Sequence, residues 1–445
     1  MVYLIKHAKI VNEGKITEGD VLIEDHIIKE INSSISVKSS ETKVIDAEGN
    51  YLIPGMIDDQ VHFREPGLTH KETILTGSKA AVSGGITSFF EMPNTNPQTT
   101  TQEKFQEKIE LAQKGSFANY AFMFGGTNDN LEEIKKIDPQ TTPALKLFLG
   151  SSTGNMLVDD EKVLKEIFEN SPIIISAHCE DEATIKANLE KAIEGFGEDI
   201  PISQHPEIRS AEACYLSSSK AIKLAEETGA RLHVFHLSTA KEMRLFNGKK
   251  KLENKKITAE VCVHHLWFSD EDYEEKGTFI KWNPAVKSTK DRQALLDALK
   301  SNKIDVIATD HAPHTLEEKE NSYTKAPSGG PLVQHALPAL FEYYHQGVLS
   351  LEQIVQKTSH NPAKLFDVEK RGFIKEGYFA DLVLVNLNSP WTVNQSNIFY
   401  KCGWSPFFGN TFKSRITHTF VNGHLVYNNF KFSEEMPGQP LKFDR

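Results

Sequence analysis

Between Pro54 and Asp367 the chain alternates strand-length apolar runs with helix-patterned stretches, and does so eight times. The apolar runs are 51–62, Ile86–Met92, Tyr120–Phe124, Ala144–Leu149, Ile173–His178, Leu232–His236, Ile257–Val263 and Asp305–Thr309. Helical patterns follow at Lys71–Ser83, Gln102–Lys114, Leu131–Ile137, Glu161–Glu169, Ala211–Thr228, near Ala240, at Lys290–Ser301, and at Val333–Tyr344 with Leu351–Lys357. Runs that are apolar on both faces belong to a parallel sheet covered by helices. Eight such units over a span of this length predict a closed (β/α)8 TIM barrel.

The two ends of the chain read differently. Before Pro54 come short β-rich pieces, with hairpin turns at Asn12–Lys15 and Glu24–Asp25. Asp381–Val385, Ile416–Val421 and His424–Tyr427 are further strands, the last two joined through Asn422-Gly423. Each set is too small to stand alone. The expectation is an α/β chain in which residues 54–367 form the barrel, while residues 1–53 and 368–445 together build a small β-sandwich domain beside it.

Composition narrows the function classes. A formal net charge of -11 argues against nucleic acid or an anionic membrane as the main partner and leaves a small-molecule substrate. No run reaches the length of a membrane span, and the stretch Met1–His7 is too short for a signal peptide. Four cysteines with no Cys-x-x-Cys pair suit reduced thiols and a cytoplasmic location, Cys179 being a buried structural thiol.

Barrel active sites lie at the C-terminal ends of the strands. There the sequence places Gln60, His62 and Arg64, then Asn94, Lys146, His178, His236 and Asp310, on six strands. A single histidine at a strand end is usually a hydrogen-bonded core residue. Three histidines, a lysine and an aspartate converging on one barrel mouth have the composition of a metal centre.

The motifs Val61-His62-Phe63-Arg64-Glu65-Pro66-Gly67, Met92-Pro93-Asn94-Thr95, Leu145-Lys146-Leu147-Phe148, Ala177-His178-Cys179-Glu180-Asp181, Phe235-His236-Leu237-Ser238-Thr239, Asn283-Pro284-Ala285-Val286 and Ala308-Thr309-Asp310-His311-Ala312-Pro313-His314 run in order across the barrel. In these the chain resembles the amidohydrolase superfamily, and within it the class I-like dihydroorotases. The resemblance implies reversible, zinc-dependent cyclisation of N-carbamoyl-L-aspartate to L-dihydroorotate plus water, a step of pyrimidine synthesis. It implies one or two Zn2+ per chain, bridged by a carboxylated Lys146. His178 and His236 would hold the more exposed ion and His62 and Asp310 the buried one. Asp310 would also be the catalytic base and acid. Arg64 would grip a substrate carboxylate bidentately, aided by Asn94, Asn283 and His314. His264 and His265 would be structural, and a homodimer or an association with aspartate transcarbamoylase would fit the family.

One position departs from the pattern. The family has His-x-His at the end of strand one, and this chain has Gln60-Val61-His62. A neutral amide oxygen is a weaker ligand than imidazole. Two ions with Gln60 or water filling the gap, a single ion at His178 and His236, and a non-catalytic subunit are the outcomes left open. A hydantoinase or dihydropyrimidinase is the other enzyme reading; Arg64 speaks against it, because neutral substrates give it no partner.

Overall fold

The computed structural model describes residues 1–37, 41–150 and 156–445. The chain begins with an antiparallel meander of β1 (Val2–Asn12), β2 (Lys15–Glu24) and β3 (Ile27–Asn32). Its first turn is a two-residue loop with Glu13 at φ 48° and Gly14 at φ 75°, the left-handed pair whose twist matches the flanking strands. The early part of β1 pairs in parallel with β4 (Lys43–Asp46) and its later part with β5 (Tyr51–Pro54). The sheet therefore branches at β1.

The barrel strands follow: β6 (Met56–Val61), β7 (Ile86–Glu91), β8 (Asn119–Phe122), β9 (Phe124–Gly125), β10 (Leu145–Phe148), β11 (Ile175–His178), β12 (Leu232–Val234), β13 (Ile257–Cys262) and β14 (Val306–Ala308). Every neighbouring pair is parallel, in the orders β6-β7-β8 and β9 through β14. β8 and β9 are one barrel strand interrupted at Met123, whose N–H donates to the Glu91 carbonyl at 3.0 Å. The ring closes between its last and first strands. His62 N–H donates to the His311 carbonyl at 2.7 Å, and Thr309 donates through Oγ1 to Asp58 Oδ2 at 2.6 Å. Almost every residue in these strands is buried, which accounts for their unbroken apolar pattern.

Local chemistry sets the helix ends. The first barrel helix is Ile74–Ser83 rather than Lys71–Ser83, because Thr73 and Thr76 form a reciprocal capping box. The insertion after β11 contains a helix, Glu182–Phe196, capped by Asp181. The helix expected near Ala240 is a single turn, Glu242–Arg244. Buried Glu242 accepts hydrogen bonds from Ser218 at 2.7 Å and Thr239 at 2.8 Å, and Asn247-Gly248 follows at once. Helix Ala336–His345 begins three residues later than Val333, behind a segment in which the Leu332 N–H donates to His311 Nδ1.

The chain ends in β15 (Leu382–Asn386), β16 (Trp391–Thr392), β17 (Thr411–Phe412), β18 (Arg415–Val421), β19 (His424–Asn428) and β20 (Lys431–Phe432). β15 lies between β18 and β5 and is antiparallel to both, so the two chain ends share one sheet, ordered β20-β19-β18-β15-β5-β1-β2-β3. Its core combines Ile5, Ile10, Val21, Ile23 and Leu52 from the first end with Leu382, Leu384 and Phe420 from the last. Neither set could cover its apolar face without the other. Among the described residues no helix is long and apolar enough to cross a membrane.

Candidate active site

All ten residues singled out in the sequence, Gln60, His62, Arg64, Asn94, Lys146, His178, His236, Asn283, Asp310 and His314, line one cavity of about 240 Å3. The strand exits bend to aim them. Arg64, His236 and Asp310 have φ of 67°, 37° and 48°, a region that side-chain-bearing residues seldom enter. Such strain persists only where the surrounding structure fixes it.

Hydrogen bonds define which ring nitrogens are available. His62 Nδ1 lies 2.9 Å from Asn94 Oδ1, so it is the donor and Nε2 carries the lone pair. That lone pair faces Asp310 Oδ1 at 3.2 Å. His178 Nε2 donates to Glu180 Oε2 at 3.0 Å, leaving its Nδ1 directed at His236 Nε2, 2.9 Å away. His236 Nδ1 is buried with no hydrogen-bond partner. Burial lowers all three imidazoles below their ordinary range, favouring the neutral, ligating form. His62 Nε2 and Asp310 Oδ1 therefore face each other as two electron-rich atoms, and the His178 and His236 rings meet through a single hydrogen bond that leaves a buried ring nitrogen of His236 unpartnered. That is a donor set a divalent cation would satisfy, so the residues present fit a metal centre.

Glu180 is held by Arg209 as well as by His178. Burial alone would raise its carboxyl, but Arg209 and His178 outweigh that and hold it at about 2. Lys146 is 1 % exposed, with Nζ over the rings of Phe148 at 4.7 Å and Phe235 at 4.1 Å. Burial lowers its amine to about 8, so a sizeable neutral fraction exists near neutral pH.

The opposite wall is cationic. Arg64 donates through Nε to the Pro313 carbonyl at 3.1 Å, and its Nη2 lies 3.2 Å from His314 Nε2. Among the described residues no carboxylate lies within ion-pair distance of Arg64. Burial lowers the guanidinium to about 10, which still leaves it charged at neutral pH. His314 is fixed from two sides, by Lys71 Nζ at 2.9 Å from Nδ1 and by the Ser328 carbonyl at 3.0 Å from Nε2. Ser328 and Gly329 reach the cavity wall, as does Trp282.

Two partners in this network, Lys71 and Arg209, carry no signal of their own in the sequence, and Asn94 carries none for its bond to His62. Lys71, Arg209 and the pairing of Asn94 with His62 depend on residues distant along the chain. Glu180 is closer to legible, standing two residues after His178 on the turn out of β11. Gln60 lies in the cavity wall at the expected place, with its Oε1 3.8 Å from Cys262 Sγ.

The amidohydrolase family profile matches residues 51–426. Among proteins of similar sequence, one named dihydroorotase from Methanosarcina acetivorans is 34% identical over 416 residues, covering 91% of this chain and 88% of its own. Another named dihydroorotase, from Staphylococcus epidermidis, is 35% identical over 435 residues, covering 96% and 100%. Among solved structures, the L-hydantoinase (dihydropyrimidinase) from Arthrobacter aurescens superposes with a TM-score of 0.93 at 28% identity over 98% of both chains. The fold, the cavity at the strand ends and these likenesses agree: the chain belongs to the amidohydrolase family, as a hydrolase of the kind that acts on cyclic amides.

Proposed function

We propose that this protein is a dihydroorotase, closing N-carbamoyl-L-aspartate to L-dihydroorotate with release of water and catalysing the reverse. The observation that carries the reading is Arg64, a buried cation in the cavity wall that makes no direct ion pair with any carboxylate among the described residues. A buried charge needs an opposite charge, and the substrate carboxylate supplies one. Hydantoins and dihydropyrimidines, substrates of the kind named for the structural relatives, are neutral and would give Arg64 no carboxylate to bind. The dihydroorotase names of the sequence relatives support the same choice.

On this reading residues 54–367 carry the chemistry, and residues 1–53 with 368–445 support it. His178 and His236 would hold one Zn2+ and His62 and Asp310 a second, and Lys146, once carboxylated, would supply a further oxygen ligand. When bound, zinc would supply hydroxide at neutral pH and polarise the ring carbonyl. The neutral Lys146 amine attacks CO2, forms the C–N bond and releases one proton, giving an anionic oxygen ligand in place of an amine. Asp310 accepts the proton of the attacking water and returns it to the leaving ring nitrogen; ring closure runs the same transfer backwards. Arg64 orients the substrate carboxylate through two parallel N–H donors. Asn94, Asn283 and His314 line the same wall, and Trp282 excludes water from one side. A soluble cytoplasmic enzyme of a small anionic metabolite is consistent with the four free cysteines.

A substrate panel tests this. Purified protein supplied with zinc and bicarbonate should hydrolyse dihydroorotate and leave dihydrouracil and hydantoin nearly untouched. Replacing Arg64 by Met should abolish the preference. Turnover of the neutral rings with none of dihydroorotate would overturn the assignment.

A further inference from the structure

Gln60 has a neighbour that could complete a different site. Its Oε1 lies 3.8 Å from Cys262 Sγ, at the end of β13. The next element, the five-residue helix Val263–Trp267, carries His264 and His265. One donor atom each from Cys262, His264 and His265 falls within 4.8 Å of the other two. The three residues are 0 %, 0 % and 3 % exposed. A thiolate with two imidazoles is a zinc donor set. Sulfur and oxygen ligands on one tetrahedral zinc stand about 3.6 Å apart, from bond lengths of ~2.3 and ~2.1 Å, close to the separation of Cys262 and Gln60.

The histidines are under-satisfied as they stand. His264 has only a loose contact with the Thr309 backbone, short of a well-formed hydrogen bond at either ring nitrogen. His265 Nε2 donates to the Pro284 carbonyl at 2.9 Å, which leaves Nδ1 as a buried lone pair without a partner. Trp282 stacks on His264 at 4.3 Å and 15°, holding the ring in place. Cys262 Sγ–H donates to Glu260 Oε1 at 3.5 Å, a proton that a bound cation would displace. A second buried group, Asp59, His233 and Glu260, behaves differently. There His233 Nε2 lies 3.2 Å from Asp59 and 3.8 Å from Glu260, so the imidazole itself can answer the acid groups without a metal.

We propose that Cys262, His264 and His265, with Gln60 Oε1 as fourth donor, form a zinc site separate from the one shared by His62, Lys146, His178, His236 and Asp310. Gln60 then serves this site, and its amide is the donor that stands next to a thiolate. The inference does not depend on the identity of the substrate.

The active-site donors are all nitrogen and oxygen, so sulfur reports the new site alone. Zinc K-edge EXAFS on the full chain loaded with Zn2+ should show a Zn–S path at ~2.3 Å. Cys262→Ser should remove it, together with about one zinc per chain. Cys179→Ser, Cys214→Ser and Cys402→Ser should keep it, which traces the sulfur to Cys262 even where Cys262→Ser does not fold. Co2+-substituted protein should show thiolate-to-cobalt charge-transfer absorption that Cys262→Ser lacks. A wild-type spectrum with nitrogen and oxygen scatterers alone, a path that survives Cys262→Ser, or one lost with another cysteine would overturn the proposal.

Discussion

Arg64 and Asn94 carry the most specific consequences at the scale of single residues. Arg64 offers a planar pair of donors, and lysine keeps the charge but not the fork. Arg64→Lys should cost about 1.5–3 kcal/mol of substrate binding, a loss of roughly 10- to 150-fold in kcat/KM with zinc content unchanged; steady-state kinetics beside metal analysis checks both. Asn94 fixes the tautomer of His62 through a 2.9 Å hydrogen bond. Asn94→Ala should weaken zinc binding about 10- to 100-fold, as losses of a ligand's hydrogen-bond partner do, measured by competition with a chelator. His62, His178, His236 and Asp310 were legible in the sequence because each stands at a strand end, and Lys146 because it is a charged residue inside an apolar strand; the barrel brings these strands together. The groups that orient them were not. Lys71 meets His314 across 243 positions and Arg209 meets Glu180 across 29, and no local pattern announces either contact.

Elements were legible where periodicity decides them, and less so where a buried side chain or a cap does. The eight strands follow from apolar runs that must be covered on both faces. The single turn at Glu242–Arg244 does not, because the carboxylate of Glu242 turns inward to Ser218 and Thr239 instead of continuing a helix. Five-residue helices such as Val263–Trp267 are too short to leave a period. One close approach between elements is decisive for the site. Gly77, in helix Ile74–Ser83, lies where an added Cβ would stand 2.5 Å from the ring of Phe63. That ring is wedged against Phe89 at 4.6 Å and His311 at 5.5 Å, and its neighbours in sequence are His62 and Arg64. Gly77→Ala should therefore destabilise the fold by about 1–3 kcal/mol, as overpacking does, and lower activity along with it. Denaturant unfolding and turnover on the same sample read the two effects.

The whole molecule depends on its two ends meeting. β15 cannot pair with β5 until more than three hundred residues of barrel lie between them, so the β domain and the barrel complete one another. The molecule should also be acid-labile. Burial holds His205 well below its ordinary range and His335 at about 3, both bonded to neighbours as neutral rings. Their folded values lie below the unfolded one, near 6.5. The unfolded chain therefore binds protons that the folded one refuses, and stability is lost as pH falls from about 6.5 toward 3. The slope reaches about 1.4 kcal/mol per pH unit for each group. His335→Phe should flatten the fall in unfolding free energy over that window.

The central claim is that this barrel remains a metal-dependent dihydroorotase with Gln60 in place of the first histidine. The most direct measurement is dihydroorotate turnover and bound zinc on one preparation, before and after chelation and after return of zinc and bicarbonate. The account predicts turnover that disappears with the metal and returns with it. No turnover of dihydroorotate or carbamoyl aspartate in zinc-loaded, bicarbonate-treated, folded protein would contradict it.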